Sequence, residues 1–406
     1  MSSHRWISLP EQQNSRLSEW RVPLAETCFS EEEVRSVARV IRSGWWTNGP
    51  ATQALEQDWK DYLDVRHAIA VSSGTSALHL AFQALDLRPG DEVVIPSLNF
   101  VAAANTALHF GAIPRFADVA SVSAPLVSEE TIKCAINENT RGIVVMHYGG
   151  YPCAMDSIVE LARKHGLWIV EDAAHAPGAA FDGVPCGKWG DVGCFSFFGN
   201  KNISCGEGGL IVTENDAVAR KLLPLRSHGM STLTWDRYQG HNFSYDVAMP
   251  GFNFRMDDIR SALLRIQLQS LDTFNDLRRE RVAWYRRLLG RDPRWIIPFE
   301  EFGGRSSCHL FTVVLGNNVN RDAVMSFLKS KRIQTSIHYP PTHQMSHYRG
   351  MKMSRDNLPI TEDIGRRIMT LPLFPGMTYE QVKMVCSCFH KAIDEACGRV
   401  ETRKMA

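Results

Sequence analysis

The chain has no C-x-x-C pair, although ten cysteines are scattered from Cys28 to Cys397. Cys386 and Cys388 are the only close pair and lack zinc-site spacing, so reduced thiols in a cytoplasmic protein are expected. No run approaches the length of about 18 apolar residues that spans a bilayer. The opening MSSHRWISLPEQQ is polar and carries no apolar targeting core. Charge of one sign is also missing: 45 basic residues face 44 acidic ones. That balance gives no support to a nucleic-acid or membrane-surface role. There is no internal repeat and no low-complexity segment. What remains is a soluble globular chain of 406 residues, long enough to bury a core without staples and to form two or three structural units.

Within it, apolar strands alternate with amphipathic helices. Ser30 followed by Glu31, Glu32 and Glu33 predicts a capping box and a helix ending at Ser43-Gly44. Seven strands are expected at 69–72, 92–95, 113–118, 143–147, 167–170, 194–198 and 210–213. Helices fall between several of them, at 75–85, about 101–110 and 155–165. This order predicts an α/β fold with a mostly parallel seven-stranded sheet flanked by helices. Beyond about residue 215 the pattern changes to long helices over 255–287, a strand at 309–315 and helices at 321–331 and 378–397. We read residues 25–265 as a large domain, 266–406 as a smaller α+β C-terminal domain and 1–24 as an N-terminal arm.

Ligands of an open parallel sheet collect beyond the carboxyl ends of its strands. After the first strand comes Ser73-Gly74-Thr75-Ser76, opening a helix whose free N–H groups suit a phosphate. It is not a Walker loop, since no Gly-Lys-Ser/Thr follows. After the second strand Phe100 stands where a flat ring could stack, or it is a core aromatic. After the fifth come Glu171 and Asp172, with His175 one helical turn on. Buried acids need partners. Asp172 either caps a helix or faces a protonated ring nitrogen, and His175 is then placed for a ring hydroxyl. After the sixth come Ser196, a second phosphate donor, and Lys201, followed by Gly206-Glu207-Gly208-Gly209, whose glycines suit turns with positive φ. A desolvated lysine becomes the neutral amine that forms imines. Phosphate cradle, stacking ring, ring-nitrogen acid and imine lysine together fit pyridoxal 5'-phosphate. His338, His343 and His347 raise a metal reading, but Pro340-Pro341 breaks the helix that would align them, so no metal site is expected.

With these residues placed, the chain resembles the DegT/StrS-type sugar aminotransferases of pyridoxal-phosphate fold type I. The likeness runs over about residues 20–395. Its blocks include Ser43-Gly44-Trp45-Trp46-Thr47-Asn48-Gly49-Pro50, Glu171-Asp172-Ala173-Ala174-His175-Ala176, Gly206-Glu207-Gly208-Gly209, Gly251-Phe252-Asn253-Phe254-Arg255-Met256 and His338-Tyr339-Pro340-Pro341. The resemblance implies a homodimer with shared sites, in which Asn253 reaches the partner's cofactor phosphate. It implies that Trp45, Thr47, His338 and Tyr339 lie near the substrate. It also implies L-glutamate as donor and a nucleotide-linked keto sugar as acceptor, or a keto-cyclitol in some members. Lys201 sets the chain apart from the related sugar dehydratases, where histidine replaces the lysine, and a complete site argues against a non-catalytic regulator. Asn99, where a threonine often precedes the stacking aromatic, is a departure from the pattern.

Overall fold

The structure is a computed structural model of the 406-residue chain. It describes residues 19–232, 235, 238–240, 244, 246–351 and 357–404; most of the expected N-terminal arm lies outside them. The first helix, Glu31–Ser43, has the capping box between Ser30 and Glu33, and it stops at Gly44 with φ of 75°. Twelve strands follow in chain order among the described residues. They are β1 (His67–Val71), β2 (Glu92–Pro96), β3 (Ile113–Ala117), β4 (Thr140–Met146), β5 (Trp168–Asp172), β6 (Ala180–Phe181), β7 (Val184–Pro185), β8 (Val192–Ser196), β9 (Gly209–Thr213), β10 (Trp295–Ile296), β11 (Phe311–Leu315) and β12 (Ile368–Leu371).

The main sheet has the order β1-β9-β8-β5-β4-β2-β3. The pairs β8–β5, β5–β4, β4–β2 and β2–β3 are parallel, and β9 runs antiparallel to both its neighbours. Strands covered on both faces must be apolar at successive positions. Accordingly Val144, Val170 and Val192 enter the core on one face, and Ile143, Val145 and Ile169 the core on the other. The smaller sheet, β10-β11-β12, is wholly antiparallel. Its core gathers Tyr285, Phe311, Val313, Leu328, Phe389 and Ile393. Val22, at the end of the expected arm, is buried in this core and bridges Ile333, so the end of that segment is tied down.

Of three local expectations, two change and one, a stretch of one or two long helices, is resolved. The residues after β5 form turns, so Asp172 caps no helix and His175 is not one helical turn from it. The long helical stretch is two helices, Asp258–Gln269 and Leu271–Leu289, that meet at Ser270. A helix at Pro50–Leu63 goes unforeseen because its start lacks a local side-chain cap. The cap is remote: Asp258 accepts from the backbone N–H groups of Gly49, Ala51 and Thr52 and from the Thr52 hydroxyl.

Candidate active site

Every strand of the main sheet except β9 points the same way, so the ends of β1, β2, β4, β5 and β8 share one rim. A cavity of about 300 Å³ opens there. Gly74, Thr75, Phe100, Asp172, His175, Ser196, Lys201, His338 and Tyr339 all line it, joined by Asn99 and Glu207. Of the expected cofactor and substrate contacts, Trp45, Thr47 and Asn253 do not line it. Trp45 packs against Trp235 and Tyr238, Thr47 is exposed, and Asn253 is exposed where its strand-like segment bridges Ser227. The two segments nonetheless adjoin: Asn48 donates to the Met256 carbonyl, and Trp46 accepts from the Asp258 N–H.

The helix Gly74–Ala84 begins beneath the cavity. Ser73 caps it by accepting from the Ser76 N–H at 3.0 Å. The earlier N–H groups of a helix have no partner within it and suit an anion. Position 74 must be glycine on grounds of space. A Cβ there would lie 2.8 Å from Ser196 Cβ and 3.2 Å from its Oγ, filling the gap between the two phosphate-competent elements.

Lys201 sits in the connection that returns the chain from β8 to β9, its N–H donating to the Phe198 carbonyl at 2.9 Å. The next residue is clamped. Asn202 donates to Asn275 Oδ1 and to the Ser307 carbonyl, both at 2.7 Å, and its Oδ1 lies 2.9 Å from His309 Nδ1. Burial draws the Lys201 ammonium down to about 8, opposed by the carboxyl of Asp172. Of the glycines after Lys201, only Gly206 takes the positive φ expected of that run, at 85°. Gly209 is instead a matter of close approach, since a Cβ there would lie 2.3 Å from the Ser73 carbonyl oxygen.

Successive strand residues face opposite sides, so Glu171 and Asp172 diverge. Glu171 points into the protein, fully buried. It accepts from the N–H groups of Gly187, Trp189 and Gly190, each at 2.7 Å, and contacts His147 Nε2 at 2.9 Å. The Cys153 N–H donates to His147 Nδ1, which leaves the ring proton on Nε2 for Glu171. Sequence reasoning missed this pair; the legible signal was two adjacent acids on one buried strand. Glu171→Gln would turn an amide NH₂ against donors it cannot accept from. We expect a loss of about 3 kcal/mol, the cost of breaking a buried pair, seen as a lower thermal midpoint. An unchanged midpoint would refute the structural role.

Asp172 faces the cavity. Burial raises its pKa, against the lowering effects of the Ala174 N–H, Lys201, the Asn99 amide and His147. Its Oδ1 accepts from the Ala174 N–H at 3.2 Å. Asn99, itself buried, has a side-chain N–H₂ with no acceptor of good geometry. A carboxyl destabilised by burial gains most from a cationic partner placed against it, so the donor set fits a protonated heteroaromatic nitrogen. Phe100 presents an apolar ring at the mouth, 55% exposed. His338, held near 4 by burial and by Lys201, stays neutral and contacts Thr370 Oγ1 at 2.8 Å. His343 is engaged elsewhere, with Ser97 Oγ at 2.6 Å. Among the described residues no group of three or more His, Cys, Asp or Glu is gathered to hold a metal.

Fold and cavity together define an aminotransferase of the pyridoxal-phosphate-dependent class. Residues 27–390 match the DegT/DnrJ/EryC1/StrS aminotransferase family, and the chain belongs to that family. It is 34% identical over 369 residues to the spore coat polysaccharide biosynthesis protein SpsC of Bacillus subtilis (strain 168), covering 89% of this chain and 94% of that protein. Among solved structures it resembles Helicobacter pylori PseC, an aminotransferase involved in the biosynthesis of pseudoaminic acid. That likeness has a TM-score of 0.86 at 27% identity and covers 92% and 99% of the two chains. It also resembles S. venezuelae DesV, solved in complex with a ketimine intermediate, with a TM-score of 0.82 at 34% identity over 89% and 94%. The family fits the donor set of the cavity, where a lysine amine, a buried acid and a helix start converge.

Proposed function

We propose that this protein moves an amino group from L-glutamate to a nucleotide-linked keto sugar, with pyridoxal 5'-phosphate held on Lys201. The observation that carries the reading is the convergence of Lys201, Asp172 and the Gly74–Ser196 cradle on one cavity. Gly74, Thr75 and Ser196 would hold the phosphate, Phe100 would pack against the ring, and Asp172 would keep the proton on the ring nitrogen. When bound, the cofactor supplies an electron sink for the carbanion at the substrate carbon. The amine of Lys201 takes the proton from Cα of glutamate and later returns one to the aminated carbon of the acceptor. The tight fit at position 74 makes Gly74→Ala costly. Overpacking of about 1–3 kcal/mol should weaken cofactor affinity roughly 5- to 150-fold. A visible titration of the cofactor measures it, and affinity within twofold of the parent refutes the cradle.

We further propose a homodimer in which Trp45, Thr47 and Asn253 serve the partner's site. Phe100 and Phe198 at the mouth are 55% and 47% exposed in one chain, and Trp46 is 55% exposed. A second copy over this face would shelter such apolar area. All ten cysteines are free, which supports a cytoplasmic setting. No helix among the described residues is long and apolar enough to cross a membrane.

The test is a two-step assay. The enzyme is first charged with glutamate, which should bleach its visible band. A panel of nucleotide keto sugars and an inosose is then offered, and a nucleotide keto sugar should restore the band. Restoration by the inosose alone overturns the acceptor and spares the transaminase reading. No bleaching with glutamate overturns the donor.

A further inference from the structure

The connection that carries Lys201 is irregular, and the next side chain ties it to the rest of the fold. The Lys201 N–H donates to the Phe198 carbonyl at 2.9 Å, and the Cys205 N–H to the Phe197 carbonyl at 3.2 Å. Between these bonds the main chain belongs to neither β8 nor β9. Asn202 stands there, and its amide makes the three contacts described above, to Asn275, Ser307 and His309. All four residues are buried, and none of them lines the cavity.

The surroundings fix the direction of each bond. Ser307 offers a carbonyl, which only accepts. Asn275 donates its own N–H₂ to the Pro177 carbonyl at 2.9 Å, so its Oδ1 faces Asn202. The N–H₂ of Asn202 therefore points at both, and its Oδ1 is left for His309. An amide oxygen only accepts, so the ring proton of His309 is on Nδ1. Burial foremost holds that imidazole well below its ordinary range, and it stays neutral. Each partner is anchored a second time. The Ser307 and His309 N–H groups donate to the Gly150 and Gly149 carbonyls at 3.0 and 2.8 Å. Arg278 follows Asn275 by one turn in the helix Leu271–Leu289 and donates to the His309 and Leu373 carbonyls at 3.3 and 3.1 Å. That helix spans two cores. Leu271 and Phe274 pack with Phe195, Leu210 and Val212 of the main sheet, whereas Val282, Tyr285 and Leu289 pack in the core of the smaller sheet.

A lysine amine sits at the end of a flexible four-carbon stem, so its place depends on where the main chain holds its Cα. We propose that Asn202 is the positioning residue of Lys201. Its amide is gripped by the bridging helix and by the chain entering β11, and this grip fixes the point from which the amine reaches the cavity. The proton-transfer consequence rests on the function proposed above; the seating of the amine does not. A displacement of about 1 Å at a reacting centre costs about 10²-fold in rate.

Two readouts test this, the first without cofactor or donor. Trace labelling of the cofactor-free full chain with acetic anhydride, quantified at Lys201 by mass spectrometry, follows the amine as it titrates. In the parent it should titrate near about 8, where burial draws it. Asn202→Ala releases the connection, and the midpoint should rise by about one unit or more as the amine meets water. The second readout is the single-turnover reaction of the loaded enzyme with glutamate and with α-deuterated glutamate. The Asn202→Ala rate constant should fall about 10- to 100-fold, and its isotope effect should grow because proton transfer becomes the slow step. Two gentler variants decide the matter if Asn202→Ala does not fold. His309→Phe keeps the ring and removes one donor, whereas His309→Asn puts an amide N–H where Nδ1 stands. The first should show both changes in smaller measure, and the second neither. Equal behaviour of the two His309 variants overturns the proposal. So does an Asn202→Ala protein whose thermal midpoint falls while its labelling and isotope effect stay with the parent. A parent that fails to charge with glutamate strikes the proposed function instead, and the labelling result still decides the role of Asn202.

Discussion

Under the function proposed above, Lys201→Ala removes both the covalent tether and the group that moves the proton, and should lower transamination by at least about four orders of magnitude. The substituted protein should also lack the visible band of a lysine imine when mixed with the aldehyde cofactor. Its folding should not suffer. The ammonium of Lys201 is depressed to about 8 by burial, so the cofactor-free fold carries a penalty for charging it. The penalty is full below about pH 8 and fades as pH rises from there toward the ordinary value of about 10.4. Cofactor-free Lys201→Ala should therefore match or exceed the parent's thermal midpoint at pH 7. The same depression predicts that the parent captures the aldehyde faster as pH rises through about 8, above which the free amine predominates. Retained turnover with the band intact would remove Lys201 from the mechanism.

Asp172→Asn should produce the second large loss. An amide of the same shape cannot keep a ring nitrogen protonated, and removing one preorganised electrostatic group of this kind costs about 10²- to 10³-fold in rate. Cofactor should still bind, because Gly74, Thr75, Ser196 and Lys201 are untouched. Single-turnover reaction with glutamate separates the two quantities: the rate constant falls, while cofactor content stays near that of the parent. A rate within about threefold of the parent would mean that Asp172 is a turn-capping residue only, through its contact with the Ala174 N–H.

These expectations were partly legible before any coordinates. Parallel strands share one carboxyl edge, so the order of strands alone brought Gly74, Asp172, Ser196 and Lys201 to a common rim. Side-chain periodicity also required Glu171 and Asp172 to face opposite ways. It did not say which of them met the cavity. That depended on the loop at Gly187–Gly190 and on His147, residues distant in sequence that surround Glu171. The helix at Pro50–Leu63 was hidden for a similar reason, because its cap is Asp258, about 200 positions away in a chain of 406. The turn after β5 was misread as a helix, since Asp-Ala-Ala-His has the composition of either.

The sequence by itself determined the α/β class, the direction of most strands and the chemistry of the rim, because apolar runs, turn residues and an imine-competent lysine are local properties. Tertiary structure decided how those residues are used. It spent Glu171 on a loop, left Asp172 facing the cavity and set His175 Nε2 against the hydroxyl of Tyr339. It also kept Trp45, Thr47 and Asn253 out of their own chain's cavity. Hydrogen-bond direction and burial depend on partners brought together across the fold, and no local pattern encodes them.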